Sequence, residues 1–227
     1  NELIDLLKEY KAKGASKEEF LAAAARIKGV YVPSLYEVEY NEDNTVKSVT
    51  PTCGAPEKVV KRNVANLDEM FSPSEFVVPF LEVVHDRTTV EIFRGCIRGC
   101  RFCQAGMVYR PVREKSPEGV DCQCRAIFES SGYEEMSLSS LSISDYTKVN
   151  ELTDSLLEWS NPNMVSLSLP SLRADSFTRE LMDKVASIRN STITFAPEAG
   201  SQRLRDVINK NLYEEDLMRA VNVAFDV

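Results

Sequence analysis

No apolar run in this sequence is long enough to cross a bilayer. Residues 22–25 are only four alanines, and Pro79 and Glu82 interrupt residues 76–84, whereas a spanning helix needs ~20 consecutive apolar residues. A membrane role is therefore not expected. Residues 1–8 lack the basic start and the small-residue cleavage site of a secretory signal, so a cytoplasmic location is. Positive charge is also scarce: 27 Lys and Arg stand against 35 Asp and Glu, a formal net charge of −8. That balance argues against broad attraction to nucleic acid but leaves room for a local basic patch. Histidine occurs once, at His85, so imidazole can supply at most one ligand to any metal site.

What remains is ordinary globular material with one unusual feature. The 227 residues, 43% of them hydrophobic, can bury a full core and sit near the upper edge of one domain, so one main domain plus an appendage is expected. Six cysteines in a chain of intracellular character point to metal binding or chemistry more than to a disulfide framework.

Along the chain, residues 1–86 read as a connector. Leu3, Ile4, Leu6 and Leu7, then a restart after Gly14 at Ser16 with Glu19 three residues on, predict two short helices with a capped second start. Residues 30–50 alternate apolar and polar positions around a turn at 41–44, which predicts a small β-hairpin. Residues 51–86, with Pro51, Pro56, Pro73 and Pro79, read as a connecting stretch with room for edge strands. Residues 87–227 alternate strand and helix. Strands are expected at 88–93, 135–142, 164–169 and 192–195. Helices are expected from Ser116 and Pro117 through 130, and at 148–159, 176–187, 201–209 and 214–225. Such alternation means βαβ units and a parallel sheet; pattern alone leaves barrel and open sheet both standing. Four units are too few to close an eight-stranded barrel, so the sequence is expected to be the front part of a longer protein whose barrel is completed beyond residue 227.

The unusual feature is Arg94-Gly95-Cys96-Ile97-Arg98-Gly99-Cys100-Arg101-Phe102-Cys103-Gln104-Ala105-Gly106, three thiols within eight residues just past a strand. On a helix they would fall at i, i+4 and i+7 and could be simple core packing. Gly95, Gly99 and Gly106 weigh against that, because they suit backbone bent closely around something. Zinc would want four ligands, and the fourth is hard to find: His85 lies towards the opposite end of the adjacent strand and Cys53 lies in the proline-bearing connection. An ordinary iron–sulfur cluster takes four thiolates, so three would leave one iron open. Cys122 and Cys124, two apart in a predicted helix, point in divergent directions and are read with Cys53 as structural.

The spacing Cys-x-x-x-Cys-x-x-Cys, with Phe102 before the last cysteine, resembles the motif of the radical S-adenosylmethionine superfamily. The resemblance implies a partial or full (β/α) TIM-like barrel, here of about four βα units with a helical and β-hairpin connector ahead of it. It also implies that Cys96, Cys100 and Cys103 hold a [4Fe–4S] cluster whose open iron binds S-adenosylmethionine. Reduction then yields methionine and a 5′-deoxyadenosyl radical, with the electron coming from a partner such as flavodoxin or ferredoxin. Many members carry a Gly-Gly-Glu motif after the second strand for the methionine amine. Here the same place holds Ser139-Ser140-Leu141-Ser142-Ile143-Ser144-Asp145. Ser140 and Ser142 can stand in for that motif, and a Ser-rich turn with Asp145 as helix N-cap is the competing reading. Arg173, at the end of the third strand, suits the methionine carboxylate, unless it is a surface arginine beside an N-cap Asp175. Glu198, in a stretch similar to the Glu-Ser-Gly-Ser of many relatives, is the expected ribose ligand, with an exposed loop acid as the alternative. Arg94, Arg98, Arg101, Arg110 and Arg113 crowd the loop and could neutralise an anionic cluster or guide an anionic substrate.

The longer runs 78–117, 137–146 and 169–205 resemble one subfamily, the uncharacterised Fe–S-oxidoreductase type with a cobalamin-binding-like domain ahead of the barrel. That resemblance implies cobalamin in the whole protein, while this chain has no Asp-x-His-x-x-Gly context around His85. Methyl or sulfur-group transfer is the implied outcome, on a substrate that could be a small molecule, RNA or protein. These 227 residues alone are expected to be inactive. The rival is a non-enzymatic iron–sulfur or zinc module for electron transfer or structure.

Overall fold

Glu2–Ala12 forms helix α1 and Lys17–Ala24 forms α2, in a computed structural model that describes residues 1–186, 188 and 193–225. The restart after Gly14 is built as the sequence predicts. Ser16 Oγ accepts from Glu19 N at 3.2 Å and Glu19 Oε2 accepts from Ser16 N at 2.8 Å, a reciprocal capping box that satisfies two otherwise orphaned donors. Strands β1 (Tyr36–Tyr40) and β2 (Val46–Pro51) then pair antiparallel, with a bulge at Glu39 and Tyr40. Their turn is closed by Asn41 N donating to Thr45 O at 2.8 Å and by Asn44 in a left-handed conformation, φ 63°. Ala25, Val32, Leu35 and Ala55 form the small core of this first unit, Asn1–Val64.

The second unit, Ala65–Val227, opens on residues 65–87 without a strand, so the edge strands considered for 51–86 do not form. Strand β3 (Thr88–Glu91) follows, with β4 (Phe93–Arg94) after it, a short helix α3 (Ala105–Val108) and β5 (Arg113–Glu114). Helix α4 (Pro117–Ser131) then leads to β6 (Glu135–Ser139), α5 (Val149–Ser160) and β7 (Ser166–Ser168). Last come α6 (Arg179–Val185), α7 (Gln202–Val207) and α8 (Glu214–Phe225).

Strands β3, β6 and β7 make a parallel sheet in that order, with Val90 opposite Leu138 and Met136 opposite Leu167. Helix α4 turns Val120, Cys124 and Ile127 towards this sheet, spaced i, i+4 and i+7 on one stripe, and all three are fully buried. Val120 and Ile127 each contribute about 2 kcal/mol over an exposed position. The start of α4 is the expected one: Ser116 Oγ accepts from Gly119 N at 3.0 Å and Pro117 occupies the first turn.

The fold is therefore α/β with a parallel sheet, and no closed barrel is formed by the described residues. Several boundaries differ from the sequence expectation, and those around β6, α5 and α6 bear on the site. Strand β6 stops at Ser139, because the chain swings into a 3-10 turn at Ile143–Asp145. Asp145 is thus not the N-cap of α5; that position is Lys148, without a side-chain cap, and the Asp145 carboxylate is instead taken by Arg98. Asp175 likewise sits inside a 3-10 turn, Ala174–Ser176, and Thr178 caps α6 by accepting from Leu181 N at 3.2 Å. Of the expected strand 192–195, Thr192 lies outside the described residues, as does Ser187 of the expected helix 176–187. Ile193 and Phe195 pack on the core and Thr194 and Ala196 line a cavity, the alternation of a strand, yet the parallel ladder among the described residues ends at β7. No helix among the described residues is long and apolar enough to cross a membrane.

Candidate functional site

The loops leaving the C-terminal ends of β3, β6 and β7 meet around one cavity of about 520 Å³, within the range of about 300–1,000 Å³ usual for small-molecule sites. This is the edge at which parallel α/β sheets place their ligands.

The cysteine loop is pinched at its neck. Strands β4 and β5 pair antiparallel, Phe93 with Glu114 and Arg94 with Arg113. Just below, Ile92 donates to Ser139 O at 3.0 Å and accepts from Lys115 N at 2.9 Å, which ties the neck to the parallel sheet. Two glycines let the loop fold tightly. Gly95 has φ 111°, and a Cβ there would lie 2.6 Å from Tyr109 O; a Cβ on Gly106 would lie 2.5 Å from Arg98 O. The cysteines are consequently not on a helix face, since α3 begins only at Ala105. Simple core packing is corrected by their exposure: Cys96 and Cys100 are half-buried and Cys103 is exposed, and none is in a disulfide.

Cys96, Cys100 and Cys103 all line the cavity, together with Phe102. Among the described residues no group of three or more His, Cys, Asp or Glu side chains is gathered tightly enough to hold a single metal ion. A cubane cluster asks for something different, one thiolate at each of several separate irons. Three free thiols spread around one cavity, with no fourth cysteine among them, fit that donor pattern. The remaining cysteines lie elsewhere. Cys53 and Cys122 are exposed, and Cys124 is wholly buried, where desolvation pushes its thiol up to about 12, inert under ordinary conditions.

Of the other expected site residues, Ser142, Arg173 and Glu198 also line this cavity, and Ser140 does not. Ser142 is buried, and its Oγ lies near Asp145 without a hydrogen bond of good geometry; the Ser140 hydroxyl is likewise buried and unpaired. Arg173 is not a free surface arginine. Its guanidinium grips Asp175 through Nε at 3.0 Å and Nη2 at 2.8 Å, and Nη2 also donates to Asn211 O at 3.0 Å. Glu198 lines the cavity, exposed and with φ 67°, and Ser171, which also lines it, has φ 63°. Left-handed backbone at non-glycine residues costs energy and collects at functional sites.

Sequence reasoning missed the part that three residues play in or behind this lining. Lys210 lines the cavity and reaches Glu198 Oε1 at 3.2 Å. Arg205 is buried to 2% exposure and braces the segment around Glu198, donating to Leu212 O at 2.9 Å, Ala199 O at 3.0 Å and Gly200 O at 3.2 Å. Asp145 holds Arg98, which itself lines the cavity. The partners lie several residues to dozens of residues apart in sequence, so no local spacing announces them.

With this geometry established, comparison with known proteins identifies what it resembles. The sequence profile described as the radical SAM superfamily matches residues 90–227. An uncharacterised protein of Methanocaldococcus jannaschii is 35% identical over 135 residues, 60% of this chain and 29% of that protein, so the chain spans under a third of its curated relative. Among solved structures, the cobalamin-dependent S-adenosylmethionine radical enzyme OxsB, with aqua-cobalamin and S-adenosylmethionine bound, is similar over 82% of this chain and 27% of its own. Its TM-score is 0.55 at 17% identity. The radical S-adenosylmethionine methyltransferase TsrM from Kitasatospora setae, bound to cobalamin and a [4Fe–4S] cluster, gives a TM-score of 0.52 at 12% identity over 61% of this chain and 28% of that one. The same enzyme with tryptophan and a S-adenosylmethionine analogue gives 0.56 at 12% identity over 99% and 42%.

Proposed function

The chain belongs to the radical S-adenosylmethionine superfamily, and from that premise we propose that its cavity holds a [4Fe–4S] cluster on Cys96, Cys100 and Cys103 and binds S-adenosylmethionine beside it. The observation that carries this reading is the convergence of those three free cysteines with Ser142, Arg173 and Glu198 on one cavity at the C-terminal edge of a parallel sheet. Bound there, the cluster supplies one electron for reductive cleavage of S-adenosylmethionine to methionine and a 5′-deoxyadenosyl radical.

The chain's own groups divide the work of holding the cofactor. Arg173 offers a planar fork to the methionine carboxylate, which would exchange with or share the grip now held by Asp175. The Ser142 hydroxyl, buried at the wall, accepts from the methionine amine in the place where relatives use a glutamate. Glu198, held by Lys210, accepts from the ribose hydroxyls. Phe102, Leu141 and Leu172 supply the apolar wall that keeps water from the reacting centre.

For the whole protein we extend the proposal to group transfer. The fold likeness to two cobalamin-dependent enzymes, one of them a methyltransferase, supports a methyl group over a sulfur group. Cobalamin would be held outside these 227 residues, since His85 lines a separate depression with Asp86, Glu134 and Glu135 at the other end of β3. A flavodoxin or ferredoxin would deliver the electron. Reconstitution with iron and sulfide under anaerobic conditions, followed by electron paramagnetic resonance of the reduced protein, tests the reading: the signal should change when S-adenosylmethionine is added. A non-enzymatic four-ligand module would give an unchanged spectrum.

A further inference from the structure

The two peptide groups that flank Cys100 are both held by a segment far along the chain. On one side, Asn209 Nδ2 donates to Gly99 O at 2.8 Å. On the other, Arg101 N donates to Ile208 O at 2.9 Å and the Arg101 guanidinium donates to Val207 O. Val207 and Ile208 end helix α7, so the carbonyls involved are ones a helix leaves without intrahelical partners. The middle of the cysteine loop thus completes the end of a helix more than a hundred residues later in the sequence.

The geometry of that helix end is specific. Asn209 takes φ 56°, with Asn209 N donating to Asp206 O at 3.0 Å and Lys210 N to Arg205 O at 2.8 Å, the paired bonds of a Schellman turn. Glycine is the usual occupant of this left-handed position and asparagine the next most tolerated. Asparagine adds what glycine lacks, an amide that reaches the neighbouring loop. The turn cannot drift, because buried Arg205 bonds the carbonyls on both sides of it.

We infer that Asn209 is a positioning residue for Cys100: its amide and the α7 carbonyls order the centre of the cysteine loop before any cluster binds. The cluster part of this inference rests on the proposed function; the ordering of the loop does not. Ordering a ligand in advance removes that entropy from the binding step. Gly99 belongs to the same device, since a Cβ there would lie 2.9 Å from Asn209 Nδ2 and push the amide away.

The test uses the reduced, metal-free protein under anaerobic conditions, with pulses of iodoacetamide and mass spectrometry reading each cysteine separately. Asn209→Gly keeps or improves the helix end and deletes only the amide. It should speed alkylation of Cys100 by about three- to tenfold, the loss of one hydrogen bond worth about 1 kcal/mol. The exposed Cys53 and Cys122 should react as before and buried Cys124 should stay protected. Gly99→Ala should act in the same direction. After reconstitution, both variants should lose iron to a chelator several-fold faster. An unchanged Cys100 rate in Asn209→Gly overturns the inference, and so does a common acceleration that includes Cys124, which would make the role one of general stability. If Cys100 responds as expected but no cluster forms even in the unaltered protein, the proposed function fails and the positioning role stands.

Discussion

Arg98, between two of the loop cysteines, donates Nε to Asp145 Oδ2 at 2.9 Å and a second hydrogen bond to Oδ1. This fork ties the loop after β3 to the loop after β6, and the Asp145 side chain is only 8% exposed. Asp175 stands at 4.0 Å from the same guanidinium and is itself gripped by Arg173, so two arginines and two aspartates chain the three strand-end loops together.

Asp145→Asn should lower unfolding stability by about 2 kcal/mol, the order of a partly buried, charge-assisted hydrogen-bond pair. Burial alone would raise the Asp145 carboxyl, but the bonds from Arg98 and the nearby charge of Arg173 outweigh it and hold it below the ordinary 3.8. A depressed carboxyl stabilises the fold above its unfolded value and loses that contribution as pH falls through its folded value. The difference between the two proteins should therefore be constant from neutral pH down to about pH 5 and shrink below the ordinary carboxylate range. Denaturant unfolding at a series of pH values checks this; a difference that grows with acid would contradict it.

Gly95→Ala should disrupt the neck of the cysteine loop. Its φ of 111° is poorly accessible to alanine and the added Cβ meets Tyr109 O, so a loss of about 2 kcal/mol or more is expected. Gly132→Ala, with open space around it and φ 72° at the end of α4, should cost about 1 kcal/mol. Thermal unfolding of the two variants separates the clash from the backbone cost alone.

Arg173→Ala should weaken S-adenosylmethionine binding to the cluster-loaded protein by about tenfold or more, since a bidentate charge-assisted pair is worth 1.5 kcal/mol or above. Arg173→Lys should recover only part of this, because a lysine cannot offer the planar fork. Equilibrium binding measures both; equal affinity in Arg173→Ala would remove Arg173 from the proposed site.

Single Cys→Ala changes at 96, 100 and 103 should each abolish the stable cluster, read as iron and sulfide content, whereas Cys53→Ala and Cys122→Ala should leave it intact. Cys124→Ala should retain the cluster and cost about 1 kcal/mol, the removal of one buried sulfur from the α4 face.

What could be read from the sequence was local. The cap residues Ser16 and Ser116, the hairpin turn after Asn41 and the cysteine loop itself are decided within a few residues, and each stands where the spacing predicts. Asp145 and Asp175 suit the alternative reading as caps, because an aspartate ahead of a helix fits that role locally, but Lys148 and Thr178 hold the cap positions. The partners of the two aspartates, Arg98 and Arg173, are set by loops that meet only in three dimensions. Asn209 and Arg205 were invisible for the same reason: an asparagine past a helix and an arginine within one are ordinary until the chain brings them to Gly99 and to the carbonyls around Glu198. Ser140 and Ser142 could not be separated by sequence; the end of β6 at Ser139 puts Ser142 on the cavity and Ser140 off it.

The central claim is tested most directly by product formation. The whole protein, reconstituted anaerobically with iron and sulfide and reduced with dithionite in the presence of S-adenosylmethionine, should release 5′-deoxyadenosine and methionine in equal amounts, and Cys100→Ala should release neither. Absence of 5′-deoxyadenosine from protein shown to carry a full cluster would contradict the account.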